Sequence, residues 1–169
     1  MSEQAGGAER VAIIDGSNVA YSTEGGGPRL ENILLVSQKL RDEGYRPVVV
    51  VDAALRHNID RKGEFEHLVD DGFIKQAPPG TDADYFILCF ARDLDASVVS
   101  NDRFKERRQA FPEASERVIR YMIVERDVVL ERRSPRRARG QRGERDQQGA
   151  PGEGNKADAG PREGAPSAG

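Results

Sequence analysis

Five aspartates stand where short apolar runs end or where a helix should begin. Asp15 closes VAIID (11–15), Asp52 closes PVVVVD (47–52), and Asp102 follows ASVVS (96–100) by two residues. Asp82 and Asp84 open DADYFILCFAR (82–92), just ahead of that last run. Carboxylates gathered in one place repel one another unless a cation lies between them. Mg2+ or Mn2+ suits such oxygen donors, keeps part of its water shell and grips phosphate oxygens. One or two such ions can activate water and stabilise the leaving oxygen of a phosphodiester. Hydrolysis of a phosphodiester is thus the chemistry these residue types could do together.

Positioning them requires a particular scaffold. The runs at 11–15 and 47–52 are rich in β-branched residues and have the continuous apolar character of strands covered on both faces. GFIKQ (72–76) and ASVVS (96–100) are shorter candidates. Residues 118–124 and 128–130 predict a final strand or a hairpin turning at Glu125–Asp127. Between them, Glu31–Arg41 spaces Ile33, Leu34, Val36 and Leu40 as a helical stripe, with Gly44 as its stop. Glu64–Asp71 predicts a shorter helix, 82–92 a buried one, and Asp102–Gln109 a charged surface helix. Alternating strands and helices imply an α/β fold, a parallel sheet sandwiched by helices. In such sheets the site lies beyond the carboxyl ends of the strands, near the point where strand order reverses.

Each acid also has a plainer reading. Asp15 could cap a turn formed by Gly16, Ser17 and Asn18. Thr81 and Asp84 have the spacing of a capping box. Asp82 and Asp84, two apart on a helix, diverge and should not serve one ion equally. Asp102 and Glu106 share a helical face, yet Arg103, Lys105 and Arg107 could make them ordinary surface pairs. Asp52 fits a site rim and a helix start equally well. His57, in a polar loop, and His67 lack a nucleophilic partner in sequence, Cys89 reads as a core residue, and Gly25–Gly27 lacks the Lys-Ser/Thr of a phosphate loop.

Composition narrows the field. Of 169 residues, positions 1–131 carry 17 basic and 24 acidic side chains, whereas 132–169 carry 9 and 5. An acidic body with a basic tail meets a polyanion through local patches, metal ions or the tail, not through bulk charge. The expected organisation is a flexible N-terminus (1–9), one domain (10–133) and a disordered Arg/Gly/Pro-rich tail (134–169), which is either a solvated terminus or an RNA-binding arm. No apolar stretch is long enough to span a membrane, the N-terminus has no signal-peptide pattern, and one cysteine excludes an internal disulfide. A cytoplasmic location is the expectation.

Two motifs carry a family resemblance over about residues 10–125. DGSNVA (15–20) after an apolar strand, with VVSND (98–102) followed by Phe104, resembles the NYN/PIN-like nucleases, specifically the regnase-type branch associated with CCCH zinc fingers. Asp84-Tyr85-Phe86-Ile87 stands where that branch has its Asp-Asp helix start. The resemblance implies a PIN-like fold and Mg2+-dependent cleavage of RNA, with Asp15, Asp84 and Asp102 as metal-binding catalytic acids. By the same resemblance Asn18 orients a carboxylate or a bound water, and Glu106 occupies the place of a further acid. Ala83 replaces the first Asp of the pair, with Asp82 displaced by one residue, and a single cysteine leaves no zinc finger. RNA is the implied partner, and a homodimer is an option because PIN-like relatives often pair.

The basic residues after the second strand (Arg56, Arg61, Lys62) and after the fourth (Arg103, Lys105, Arg107, Arg108) should flank the acids and hold RNA phosphates, unless they are merely a solvated charged face. The competing reading is an RNA-binding module that keeps the fold without turnover, favoured by the displaced Asp82. A receiver domain would need a Lys ending the fifth strand, and a haloacid-dehalogenase phosphatase an Asp-x-Asp after the first; neither is present.

Overall fold

A computed structural model describes residues 8–131, within the first of the two units into which the chain divides, Met1–Ser134 and Pro135–Gly169. The expectations for residues 1–7 and for the Arg-rich tail from 132 lie outside the described residues. The chain runs β1 (Arg10–Asp15), α1 (Gly16–Ala20), α2 (Leu30–Asp42), β2 (Tyr45–Val51), α3 (Leu55–Asn58), α4 (Lys62–Asp70), β3 (Ile74–Gln76), α5 (Ala83–Asp93) and β4 (Ser97–Val99). A 3-10 turn (Lys105–Arg107), α6 (Pro112–Glu116) and the hairpin of β5 (Val118–Val124) with β6 (Asp127–Glu131) complete it.

Six strands form one sheet in the order β3-β2-β1-β4-β5-β6. All neighbours are parallel except β5 and β6. Period-two alternation sends successive side chains to opposite faces, and both faces are covered. Ile14, Val49 and Val51 pack with Val19, Leu30, Ile33, Val36, Leu40, Leu55 and Phe65. Ile13, Val48 and Val50 pack on the other face with Ile87, Leu88, Ala91, Phe104 and Phe111. This double burial is why β1 and β2 read as unbroken apolar runs. Strand order reverses at β1, whose neighbours are β2 on one side and β4 on the other. The carboxyl ends of β1 and β4 therefore open a crevice.

The structure differs from the sequence reading in local detail. Residues 16–20 form a short helix rather than a turn, and Asp15 is its N-cap. Asp102–Gln109 is no continuous helix: Phe104 adopts a left-handed conformation (φ 45°), and only a 3-10 turn follows. A bulky residue in that region is strained, by about 1–3 kcal/mol. Burial of the Phe104 ring in the second core offsets the strain and anchors the loop that carries Asp102. The N-cap of α5 is Asp82, which accepts from the Asp84 N–H at 3.0 Å, and not Thr81, whose hydroxyl donates to the Pro78 carbonyl.

Candidate active site

Asp15 is the buried acid of the crevice, 6% exposed at the end of β1. Its Oδ1 accepts from the Asn18 N–H at 3.2 Å, and its Oδ2 accepts from the Ser100 hydroxyl at 2.8 Å. Burial raises its pKa from 3.8 to about 6; the two hydrogen bonds oppose the rise, and the charges of Asp84 and Asp102 add to it. Gly16 makes this position attainable. A Cβ there would lie 2.6 Å from Val51 Cγ1 and 2.9 Å from Val49 Cγ1, so only glycine lets the chain turn against β2.

A hydrogen-bonded clasp holds the neighbouring amide. Asn18 Oδ1 accepts from the Tyr121 hydroxyl at 2.8 Å and from the Asn101 N–H at 3.1 Å. Asn101 is itself fixed on β5: its Oδ1 accepts from the Tyr121 N–H and its Nδ2 donates to the Tyr121 carbonyl, at 3.2 and 3.1 Å. Burial, with the charge of Asp15, pushes the Tyr121 phenol well above its ordinary pKa, so it remains a donor. With Oδ1 filled twice, the Asn18 carboxamide leaves its NH2 group as the donor available beside Asp15.

The remaining acids sort by their partners. A cleft of about 450 Å3 is lined by Asp15, Asn18, Asp52, Asp84, Asp102 and Tyr121, among others. Asp84, half-buried on the first turn of α5, has its pKa raised by desolvation and then by Asp102. Asp102 is exposed; its Oδ1 accepts from the Phe104 N–H at 2.8 Å, and its own N–H donates to Ser100 Oγ at 3.1 Å. Asp52 serves both sequence readings, since it borders the cleft and its Oδ1 accepts from the Leu55 N–H at the start of α3. Asp82 caps α5 and pairs with Arg107. Glu106 is exposed on the 3-10 turn and is not among the residues lining the cleft.

The basic residues divide similarly. Arg56 grips both carboxylate oxygens of Glu66, at 2.7 and 2.8 Å, and Arg61 pairs with Glu64 at 3.5 Å. Lys62 and Lys105 are exposed. Arg103 and Arg108 border a hollow of about 300 Å3 that also touches Asp102 and Arg120. Ser100 and Asn101 belong to the VVSND motif without a role that the sequence assigns them, and Tyr121 and Arg120 carry no such signal. For the first two, the signal was polar residues directly after an apolar strand and next to Asp102.

In donor chemistry this cleft suits a hard divalent cation: four carboxylates, those of Asp15, Asp52, Asp84 and Asp102, line it, with no sulfur and no imidazole. The acids do not yet converge, however; no group of three or more His, Cys, Asp or Glu among the described residues is placed to hold a metal ion. Asp84 is half-buried and Asp102 exposed, whereas Asp15 is buried.

A mostly parallel sheet in the order β3-β2-β1-β4-β5-β6, with acids at its reversal point, fits a PIN-like domain. The chain belongs to the family of the Zc3h12a-like ribonuclease NYN domain, which it matches over residues 8–142. No curated protein matches it. Among solved structures it is similar to two of nuclear proteinaceous RNase P 2 (PRORP2) from Arabidopsis thaliana. The identities are 24% and 25%, each with a TM-score of 0.61, over 75% and 79% of this chain. It covers 30% and 31% of those chains, so it spans under a third of their length. Among the described residues no helix is long and apolar enough to cross a membrane.

Proposed function

We propose that this ribonuclease domain cuts single-stranded or looped RNA internally, with Mg2+ or Mn2+ held by Asp15, Asp84 and Asp102. The observation that carries the reading is a buried carboxylate, bonded at both oxygens, facing two further acids across the switch-point cleft. Isolated burial of such a charge is unfavourable, and a bound cation relieves it. When bound, the ion would supply an activated water and charge stabilisation at the scissile phosphate.

The chain's own residues do the positioning. Ser100 and the Asn18 N–H fix the direction of the Asp15 carboxylate, and the Asn18 NH2 donates to a phosphate oxygen or to water in the cleft. Arg103, Arg108 and Arg120 meet neighbouring phosphates. Arg56, Arg61 and Arg107 already hold Glu66, Glu64 and Asp82, so they bind RNA only by releasing a partner. A single cysteine suits work in the reducing cytoplasm.

The test is incubation of the protein with single-stranded RNA, hairpin RNA and DNA, in Mg2+, in Mn2+ and in chelator. Metal-dependent internal cuts in RNA support the reading, and equal cleavage in chelator overturns it. One observation favours the non-cleaving RNA-binding module: Asp82, the displaced member of the acidic pair, is occupied by its cap and by Arg107. RNA binding without cleavage in either metal would decide for that module.

A further inference from the structure

Beside the acid cleft lies a second cavity of about 560 Å3, beyond the carboxyl ends of β2 and β3. Asp52 lines both, so the two cavities adjoin at its side chain. The methyl groups of Ala53 and Ala54, the rings of Pro78 and Pro79 and the backbone of Gly80 make its walls largely apolar. Its rim carries Asp52, Arg56 and His57, and the Arg56 guanidinium is held by both oxygens of Glu66. A phosphate therefore finds no unpaired guanidinium here and meets the Asp52 carboxylate, so the apolar walls favour an uncharged group.

One carboxamide is fixed inside. Gln76, at the end of β3, donates from Nε2 to the Ala53 carbonyl at 3.3 Å. That bond sets the orientation of the carboxamide. Its Oε1 has no partner among the described residues, and the second N–H of Nε2 stands beside it. An acceptor and a donor side by side, between flat apolar walls, match the hydrogen-bonding edge of a nucleobase.

We infer that this cavity receives the base of a nucleotide next to the scissile phosphate and that Gln76 reads its edge. The inference builds on the ribonuclease reading, for it takes the RNA strand to run along the carboxyl edge of the sheet from the acid cleft over Asp52. It adds a specificity-determining site that the acids do not supply.

Two measurements test it. The first follows backbone amide resonances of the 169-residue chain during titration with each of the four nucleoside 5′-monophosphates and with ribose 5-phosphate. The nucleotides should shift Ala53, Ala54, Gln76, Gly80 and Thr81, whereas ribose 5-phosphate, having no base, should leave them in place. Equal shifts with the base-free phosphate, or none with any nucleotide, overturn the inference. This arm needs no cleavage, so a chain that fails to cut RNA but shows these shifts loses the nuclease reading and keeps the base site.

The second uses cleavage of an RNA in which nucleotides around a mapped cut are made abasic one at a time. One position should lower kcat/KM by roughly tenfold, within the range for loss of a single base contact. Gln76→Leu, similar in size but unable to hydrogen-bond, should lower kcat/KM on intact RNA and add little to the abasic loss at that position. Fully additive losses at every position would show that Gln76 and the base do not meet.

Discussion

Substituting Asp15 by Asn should make the protein more stable and less active at once. The buried carboxyl titrates near 6 in the fold and near 3.8 when free. Native protein thus holds this proton more tightly than the unfolded chain does. The stability it lends is complete below pH 3.8, declines as pH rises through the interval, and is gone above about 6. Two pKa units correspond to about 3 kcal/mol of penalty on the folded state at pH 8, shrinking to roughly 0.5 kcal/mol at pH 4.

Asparagine removes the charge but keeps the volume. It retains an acceptor for the Asn18 N–H and turns a donor toward Ser100, a mismatch costing about 1 kcal/mol. The metal-free variant should therefore be about 2 kcal/mol more stable than the parent at pH 8, several degrees in Tm. That advantage should vanish or invert at pH 4. Cleavage, in contrast, should fall by roughly a hundredfold or more at saturating metal. Urea melts of both proteins in chelator at pH 4 and pH 8, beside single-turnover cleavage, give both readouts. A stability difference that does not change with pH would refute the burial argument, and unchanged cleavage would remove Asp15 from the reaction.

Asp82→Ala should cost about 1 kcal/mol through loss of the α5 cap, whereas Asp84→Ala should leave Tm nearly unchanged and abolish cleavage; comparing melting with rate for both separates a cap from a ligand. Gly16→Ala drives a methyl into Val51 and Val49 and should lower stability by about 1–3 kcal/mol, read by denaturant titration, with a loss of activity as Asp15 shifts. Reversing Arg103 and Arg108 to Glu should raise KM and flatten its salt dependence, whereas reversing Arg56, already held by Glu66, should do so less. A salt slope untouched by the double reversal would return those arginines to the solvated surface.

What could be read from the chain beforehand follows from how local each feature is. β1, β2 and α5 are dictated by their own apolar content, so their places were visible in runs such as VAIID and FILCF. The alternation of strands and helices implied a parallel sheet, and the rule that sites lie beyond its carboxyl ends drew attention to Asp15 and Asp102; that the order reverses at β1 depends on long-range pairing and was not legible. The failures have physical causes. GSNVA lacks the length that marks a helix, and its capping by Asp15 is a matter of side-chain geometry. The periodicity of Asp102–Gln109 hid the left-handed Phe104, whose conformation is imposed by burial of its ring. Asp82 rather than Thr81 caps α5, because Thr81 turns back to Pro78. Tyr121 was read only as part of a strand; its hydroxyl matters through a residue remote in sequence.

That remoteness bears on the order of folding. The Tyr121–Asn18 bond joins residues 103 apart, and the Ser100–Asp15 bond joins residues 85 apart. The Ser100–Asp15 bond waits for β4 to pair with β1, and the Tyr121–Asn18 bond waits further for β5 to pair with β4; contacts of such long range come slowly. During synthesis Asp15 leaves the ribosome far ahead of the groups that orient it and its neighbour Asn18. A chain with all three aspartates made but β5 not yet docked has acids without a directed amide between them. On the proposed assignment of these residues, competence to cut is tied to completion of the sheet, and an unfinished or locally opened chain would carry the acids without the groups that aim them.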